Sequence, residues 1–318
     1  MRHIVVTGGA GFIGREVVAA LSARGDRVLA VDDLSVGSRQ ALSHPNVAFE
    51  ALDIRDTEGL ANLLREFHPD AILHLAALHH IPTCEAQPVR TMSVNVVGTE
   101  SVMEAVAQSG AGLLVIASSG AVYDWQNGRL TETGPLKPHD TYSLSKFTNE
   151  SQLVRWTAKV DIRGRIARIF NVIGPNDPNA HLIPDLLSRL SQVVDAPETA
   201  SRDIAIGATS TVRDYVDVRD AAQALIALLD DTRPTPLAAY NICGGQGIST
   251  GDLARLLAQV LAVDVDFVVD PRLLRAIDRP SQVGDPDAMA AAFGWLASTS
   301  LEDSLRWIVD CARQEARS

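Results

Sequence analysis

Tyr142 and Lys146 stand four residues apart, and this spacing puts two side chains on one face of a helix. A free phenol has a pKa of about 10 and is a poor base near neutral pH, but a neighbouring ammonium group favours its ionised form. The pair therefore predicts a tyrosinate that takes the proton of a hydroxyl group. Taken alone, the same spacing is as readily found on the surface of an ordinary helix.

Two serines, Ser118 and Ser119, end an apolar run that begins at Leu113 and is typical of a buried strand. Ligands of doubly wound α/β folds bind at the carboxyl ends of the strands. A hydroxyl at this place could hydrogen-bond an oxygen that alternates between alcohol and ketone. The serine pair is therefore a second group of catalytic candidates.

Three glycines, Gly8, Gly11 and Gly14, follow the first apolar run and open the first helical pattern. Glycines so spaced let the chain turn tightly and present a helix N-terminus to a pyrophosphate. Asp32 closes the second apolar run, where a carboxylate suits the hydroxyls of an adenosine ribose. A second aspartate follows it and the nearest arginine is Arg39, so a 2′-phosphate would be repelled and NAD is favoured over NADP. The alternative is a glycine-rich structural turn in an unrelated α/β protein.

Short apolar runs alternate with amphipathic stretches over the first 170 residues, which is typical of a parallel sheet with helices on both faces. We therefore expect a Rossmann-type doubly wound parallel sheet in residues 1–170, the NAD-binding domain. The predicted strands are 4–6, 27–32, 47–52, 71–75, 113–117 and 165–170, and the predicted helices include 57–67, 89–109 and 142–159.

The pattern changes after Asn171, and residues 171–318 predict a smaller mixed α/β C-terminal lobe. We expect this lobe to bind the substrate and to be interleaved with the first domain. Residues 195–214 are polar and predict irregular structure, whereas the predicted helices are 182–193, 218–229, 249–261 and 301–313.

The composition is that of an ordinary globular chain, with 318 residues of which 46% are hydrophobic. The formal charge of −11 argues against a general binder of nucleic acid or of anionic membranes. Apolar runs stay well short of the ~20 residues of a membrane span, and the cysteines (84, 243 and 311) form neither a disulfide framework nor a zinc pattern. We expect a cytoplasmic protein without a metal, a nucleic-acid partner or a membrane contact.

The chain resembles the extended short-chain dehydrogenase/reductase family over nearly its whole length. The motifs that carry the resemblance are the glycine turn, Asp53-Ile54, the segment 74–77, the segment 95–99 and the Tyr-x-x-x-Lys pair. The resemblance implies a Ser/Thr–Tyr–Lys triad in which Ser119 is the matching serine and Ser118 is structural. It also implies a site for NAD, formed by Gly8, Gly11, Phe12, Ile13, Gly14, Asp32, Asp33, Asp53, Ile54, Leu75, Ala76, Ala77, Asn95, Tyr142, Lys146 and Phe170.

Motifs in the second half resemble the UDP-glucose 4-epimerase group of that family, which implies a nucleoside-diphosphate sugar as substrate. Two fixed arginine side chains, Arg213 and Arg279, would suit the diphosphate group of a ligand on an acidic protein. Either arginine could instead be half of a surface salt bridge. His181 stands where that group often carries an asparagine. The implied substrate-binding residues are Ser119, Asn171, His181, Leu182, Arg213 and Arg279.

The reaction implied by the resemblance is inversion at C4 through a transient 4-keto sugar and NADH. Gly120 and Ala121 stand where related dehydratases carry an Asp-Glu pair, decarboxylases a Glu and 3,5-epimerases a Cys, and inversion at C4 needs none of these. Asn176 stands where uronate 4-epimerases commonly carry an arginine, which makes an anionic sugar less favoured. The alternatives are an NAD(P)-dependent 4-ketosugar reductase and a non-catalytic NAD-sensing protein.

Two further features are left open by the sequence. His79 and His80 follow the fourth predicted strand and could contact phosphate or substrate, or be ordinary loop residues. The resemblance also implies a homodimer formed by two helices, which would fall in the windows 89–109 and 142–157.

Overall fold

The computed structural model describes residues 1–178, 181–194, 202–274 and 279–316. Within these ranges the strands are β1 (His3–Thr7), β2 (Arg27–Asp32), β3 (Val47–Ala51), β4 (Ala71–His74), β5 (Leu113–Ser119), β6 (Arg129–Leu130), β7 (Arg163–Ile169), β8 (Asn171–Ile173), β9 (Asp203–Ile206), β10 (Val212–Asp217), β11 (Leu237–Ile242), β12 (Gly247–Ser249), β13 (Asp266–Val269) and β14 (Ser281–Gly284). The helices are α1 (Phe12–Arg24), α2 (Thr57–Phe67), α3 (Ile81–Ala86), α4 (Pro88–Met92), α5 (Gly98–Ser109), α6 (Thr141–Thr157), α7 (Leu182–Val194), α8 (Val218–Leu229), α9 (Thr250–Leu261), α10 (Asp287–Phe293) and α11 (Leu301–Glu315).

Seven strands form a central sheet in the order β3-β2-β1-β4-β5-β7-β11, and every neighbouring pair is parallel. The whole of β4 and four of the five residues of β1 are buried. Strands covered on both faces need apolar residues at successive positions, which is why these runs could be identified in the sequence. The Rossmann-type doubly wound fold is confirmed.

Two helical layers cover this sheet, and successive strand residues point to opposite layers. Ile4 and Val6 pack in one cluster with α1 and α8, whereas Val5 packs in another with α2, α5 and α6. Each layer buries the apolar face of its helices against the sheet, and this close packing makes the sheet rigid. Its carboxyl edge is therefore a firm platform for a site.

The second half of the chain builds two further sheets and also contributes to the first. A mixed sheet runs in the order β12-β10-β14-β6, with β8 also paired to β10, and β9 pairs with β13. Helices α7, α9 and α11 cover a third apolar cluster around Ile204 and Ile206. Conversely, β11 and α8 lie with the central sheet, and β6 from the first half lies in the mixed sheet. The boundary near residue 170 stays a prediction.

The expectation of irregular structure over 195–214 is wrong for residues 203–206 and 212–214 and right for residues 207–211, which form neither helix nor strand; residues 195–201 lie outside the described part of the chain. Residues 203–206 form β9 and residues 212–217 form β10. The first is a four-residue alternation, too short to be distinctive in the sequence. The second carries polar side chains inside the fold: the Asp214 carboxylate accepts hydrogen bonds from the backbone N–H groups of Gly244, Gly245 and Gly284.

Candidate active site

A cavity of about 1540 Å³ lies at the carboxyl edge of the central sheet. One wall is made by residues that follow β1, β2, β4, β5 and β7, and the other by residues of α7, β10 and β14. Its volume exceeds the roughly 300–1,000 Å³ that suits one drug-sized ligand. Every residue predicted for the site lines this cavity except Asn95.

The glycine turn is held so tightly that side chains are excluded from it. Gly8 has a φ of +71°, and a Cβ on it would lie 2.7 Å from the backbone nitrogen of Ala76. A Cβ on Gly14 would collide with the carbonyl oxygen of Gly8. Gly9, which sequence reasoning missed, is equally constrained, since its Cβ would lie 2.8 Å from the Cβ of Ala30. The turn therefore leaves the N-terminus of α1 open to the cavity, as a pyrophosphate cradle requires.

Asp32 organises this turn from the end of β2. Its carboxylate accepts hydrogen bonds from the backbone N–H groups of Ala10, at 3.0 Å, and Leu34, at 2.9 Å. Burial raises the pKa of Asp32, and Asp33 beside it acts in the same direction. Two adjacent carboxylates at this edge fit ribose hydroxyls and oppose a phosphate.

The carboxylate of Asp53 forms an ion pair with Arg55, which sequence reasoning missed. Arg55 donates to both carboxylate oxygens of Asp53 and lowers the pKa of Asp53. Both residues line the cavity. The charge of Arg55 is matched by Asp53, with which it forms an ion pair.

The catalytic candidates meet where α6 crosses the end of β5. Helix α6 begins at an Asp140 cap, whose side chain accepts from the Ser143 N–H at 2.7 Å. The Ser119 side chain faces the Tyr142 phenol closely enough to lower its pKa. One turn later, the Lys146 ammonium donates to the carbonyl oxygen of Ala117 at 2.9 Å and lies 6.0 Å from the Tyr142 ring centroid. The predicted triad is therefore brought together.

Burial shifts both ionisable members of this triad toward their neutral forms. It raises the pKa of Tyr142 to about 12, against the opposing effect of the Ser119 hydroxyl. It lowers the pKa of Lys146 to about 8. The sequence led us to expect a lowered tyrosine pKa. The protein alone does the opposite, because desolvation at the sheet edge disfavours the phenolate.

Asn95 lies behind the cavity wall rather than in it. It is fully buried in a π-helical turn over Ser93–Val97, between α4 and α5. Its side-chain amide donates to the Leu78 carbonyl and the Ser145 hydroxyl, and its oxygen accepts from the Leu78 N–H. The structure thus gives Asn95 contacts that fix the loop after β4 against α6.

Arg213 and Arg279 lie close to one another on the opposite wall. Nη1 of Arg213 donates to the carbonyl oxygen of Arg279 at 2.8 Å. Arg279 is only 7% exposed, and its three nitrogens donate to the backbone carbonyls of Ser281, Gly120 and Asp124. Burial and the charge of Arg213 lower the pKa of Arg279 to about 10. Two neighbouring guanidinium groups are stabilised by an anion between them.

His181 lies beside His79 and His80 at the cavity, although about a hundred residues separate it from them in the sequence. The ring centroid of His181 lies 5.8 Å from that of His79 and 5.9 Å from that of His80. Nδ1 of His181 is 2.7 Å from the Asp177 carboxylate, a partner that the sequence did not suggest. Desolvation inside the cavity, together with the neighbouring His181 and His80, lowers the pKa of His79 to about 4.

Asn171 and Phe170 line the same cavity as the triad and the two arginines. Asn171 donates to the Asp214 carbonyl at 2.9 Å. A Cβ on Gly120 would lie 3.1 Å from the Phe170 ring and 2.8 Å from the Gln282 side-chain nitrogen. Gln282, which we missed, pairs in register with Arg213 across β10 and β14, and only that long-range pairing could have identified it.

Comparison with known proteins decides the family of this chain. Residues 4–243 match the model of the NAD dependent epimerase/dehydratase family. The chain belongs to this family. The epimerase/dehydratase family uses NAD, so the prediction of an NAD cofactor is confirmed, and the cradle at Gly8 and Gly14 fits a pyrophosphate.

Relatives of this family member include epimerases and a reductase. The chain is 30% identical over 304 residues to a UDP-glucose 4-epimerase of Lactobacillus helveticus, covering 92% of this chain and 91% of that protein. It is 29% identical over 320 residues to a GDP-6-deoxy-D-mannose reductase of Pseudomonas aeruginosa, covering 97% and 96%.

A solved structure shares the whole architecture of this epimerase/dehydratase family member. The UDP-glucose 4-epimerase of Stenotrophomonas maltophila, with bound NAD and formylated UDP-arabinopyranose, superposes with a TM-score of 0.90 at 26% identity. The match covers 100% of this chain and 99% of that one.

Two negative findings apply to the described parts of the chain. Residues 1–178, 181–194, 202–274 and 279–316 contain no group of three or more His, Cys, Asp or Glu side chains arranged to hold a metal ion. Over the same ranges, no helix has the length and apolar character needed to cross a membrane.

Proposed function

We propose that this chain is an NAD-dependent 4-epimerase of nucleoside-diphosphate hexoses, with UDP-glucose and UDP-galactose as its substrates. The observation that carries the proposal is that Tyr142, Ser119 and Lys146 meet at one wall of the cavity, with Gly120 and Ala121 directly after Ser119 in the sequence. A site with one acid–base group and two small neighbours can take and return the proton of one hydroxyl group. Elimination of water would need further acids.

Each triad residue has a definite task in this proposal. Tyr142, as phenolate, takes the proton of the C4 hydroxyl and later returns it, and Ser119 donates a hydrogen bond to the same oxygen. Lys146 holds a positive charge near the phenolate and opposes the effect of burial. NAD supplies the oxidation of C4 and its reversal. The proton leaves and returns through Tyr142, so acid and base balance over one turnover.

The opposite wall gives the substrate a fixed end. The neighbouring guanidinium groups of Arg213 and Arg279 suit the diphosphate, while the sugar rests against Asn171, His181 and Leu182. A tethered diphosphate lets the 4-keto sugar turn over without escaping, and confinement of this kind contributes strongly to rate. His79 at neutral charge suits a sugar without a carboxylate.

The experiment that tests the proposal offers the enzyme separate UDP-, dTDP-, GDP- and CDP-hexoses and follows C4 by NMR. We expect inversion of UDP-galactose to UDP-glucose without net production or loss of reduced nicotinamide. Failure to invert any of these sugars would contradict the proposal.

A 4-ketosugar reductase is the second candidate, because the Pseudomonas aeruginosa reductase is 29% identical to this chain. A reductase consumes one reduced cofactor for each product. Stoichiometric loss of the reduced-nicotinamide absorbance, with a 4-keto sugar as substrate and no inversion of UDP-galactose, would favour it. A non-catalytic NAD sensor would bind the cofactor and do neither.

We also propose that the enzyme is a homodimer that acts in the cytoplasm. Helices α4 and α6 pack against one another, and together with the π-helical turn after α4 they leave several apolar side chains in solvent: Val89 (83% exposed), Val97 (57%), Leu144 (45%) and Val154 (51%). Apolar side chains clustered on adjacent helices favour burial against a second copy. The three cysteines are unpaired, which supports a reducing compartment; cell fractionation tests this location.

A further inference from the structure

The catalytic helix is attached to the catalytic strand by three consecutive contacts. Tyr142 faces Ser119, Lys146 donates to the carbonyl oxygen of Ala117, and Glu150 accepts from the hydroxyl of Ser118 at 2.5 Å. The three helix residues stand on successive turns of α6. Glu150 lies behind the cavity wall, which Ser118 lines, and the reaction proposed above does not use this third contact.

Glu150 is the inner end of a buried polar chain. Arg168 on β7 donates to both of its carboxylate oxygens, at 2.9 and 2.8 Å, and both side chains are only 6% exposed. Arg168 also donates to the hydroxyl of Tyr123 at 3.0 Å, and Tyr123 donates to the side-chain oxygen of Asn241 at 2.6 Å. This series of hydrogen bonds thus begins on α6 and ends on β11.

The outer end of this chain reaches the elements that carry the substrate wall. The side chain of Asn241 donates to the carbonyl oxygens of Leu130 on β6 and of Asp285, which follows β14. Strand β14 lies next to β10, where Gln282 pairs with Arg213. A displacement of the substrate wall would therefore be transmitted to Glu150 through hydrogen bonds of 2.5 to 3.3 Å.

We propose that the Glu150–Arg168 pair is a positioning device for the reaction: it fixes Tyr142 and Ser119 relative to each other and ties them to the substrate wall. The proposal rests on the proposed function. A buried ion pair contributes little net stability, because desolvation cancels much of the attraction, but breaking one by removing a single charge is costly. Its value here is geometric, since misplacing reacting groups by about 1 Å can cost about a hundredfold in rate.

A second buried ion pair on β7 serves as a matched control for the Glu150–Arg168 pair. Arg165 on β7 forms a second buried ion pair with Asp231, at 2.6 Å with side chains 0% and 2% exposed. That pair lies away from the cavity. A purely structural role for Glu150 predicts that the two pairs respond alike to neutralisation.

The test compares Glu150→Gln, Ser118→Ala and Asp231→Asn with the unaltered enzyme, measuring kcat, KM for UDP-galactose, NAD content and melting temperature. We expect Glu150→Gln to lower kcat by roughly tenfold or more, with KM and NAD content within about threefold. Ser118→Ala, which keeps the ion pair, should lower kcat by about two- to fivefold. Asp231→Asn should lower the melting temperature while kcat stays within about twofold.

Two results would overturn the proposal. One is a Glu150→Gln enzyme with unchanged kcat; the other is an equal loss of kcat in Glu150→Gln and Asp231→Asn. Tyr142→Phe is measured alongside. If that variant is fully active, the proposed function fails; if it is inactive while Glu150→Gln behaves like Asp231→Asn, only the positioning role fails.

Discussion

Tyr142 is the proposed catalytic base, and its surroundings disfavour the ionised form that a base needs. Burial raises its pKa to about 12, whereas catalysis near neutral pH needs the phenolate. The Ser119 hydroxyl acts in the opposite direction and lowers the pKa of Tyr142. A positive charge brought close to the phenol would also lower this pKa. The free protein therefore holds Tyr142 neutral, and the active form depends on charge brought close to it.

Replacing Tyr142 by Phe removes the proposed base and keeps the ring. We expect a loss of kcat of about a thousandfold or more, in line with removal of an acid–base group at the reacting atom. NAD binding should persist, which equilibrium dialysis can check. Full activity in this variant would contradict the assignment of the base.

Replacing Lys146 by Met removes the ammonium that opposes the burial of Tyr142. We expect kcat to fall and its dependence on pH to move to more alkaline values, since the phenolate then loses a stabilising charge. The measurement is kcat against pH for both proteins. A profile that does not move would show that Lys146 has no electrostatic effect on the base.

The turn between β1 and α1 makes a sharp prediction at the scale of elements. A Cβ on Gly14 would collide with the Gly8 carbonyl oxygen, so Gly14→Ala must shift the turn away from the pyrophosphate. We expect NAD affinity to fall by about a hundredfold or more. Gly112→Ala is the control, because a Cβ there would contact nothing within 4 Å. Equal affinity in the two variants would show that the turn does not hold the cofactor.

Elements were predictable where apolar residues repeat over a whole strand or helix, and not where the partner is distant. The runs that became β1, β2 and β4 are apolar on both faces, so they stand out in the sequence. Strand β10 was missed because Asp214 is polar, although it is fully buried. The site was predictable in the same way: the glycine turn and the Tyr142–Lys146 spacing are local.

Pairings that depend on distant segments were beyond sequence reasoning. Examples are the contact of His181 with His79, the pairing of Gln282 with Arg213, and the Glu150–Arg168 ion pair. In the sequence each of these residues is an ordinary polar residue. Only the assembled fold gives it a partner.

The whole molecule should lose stability as the solution becomes mildly acidic. His74 is buried between the hydroxyls of Thr7 and Thr99, and burial lowers its pKa to about 3. The unfolded chain binds a proton at this imidazole below pH about 6.5 and the folded chain does not, so protons favour unfolding. We expect the free energy of unfolding to fall between about pH 6.5 and pH 4, by up to about 1.4 kcal/mol per pH unit. Urea unfolding at several pH values checks this, and stability that is constant across the range would contradict it.

The proposed dimer gives a second prediction at this scale. Leu144→Asp puts a charge on the exposed apolar surface of α6 and should convert the enzyme to a monomer in sedimentation experiments. Val268→Asp on β13 is the control, since Val268 is 50% exposed and lies on a different surface. A dimer that survives the first change would show that this surface does not form the contact.

The crossing of β11 and α8 into the central sheet affects how the chain can fold during synthesis. Before residue 242 leaves the ribosome, β7 has a bare edge and the α1 layer lacks its neighbour, so apolar backbone and side chains stay open to other chains. An N-terminal fragment ending near residue 170 would thus form an incomplete, aggregation-prone sheet and would not fold as an independent nucleotide-binding domain. Nascent chains of this protein should need protection until about three quarters of the sequence has been made.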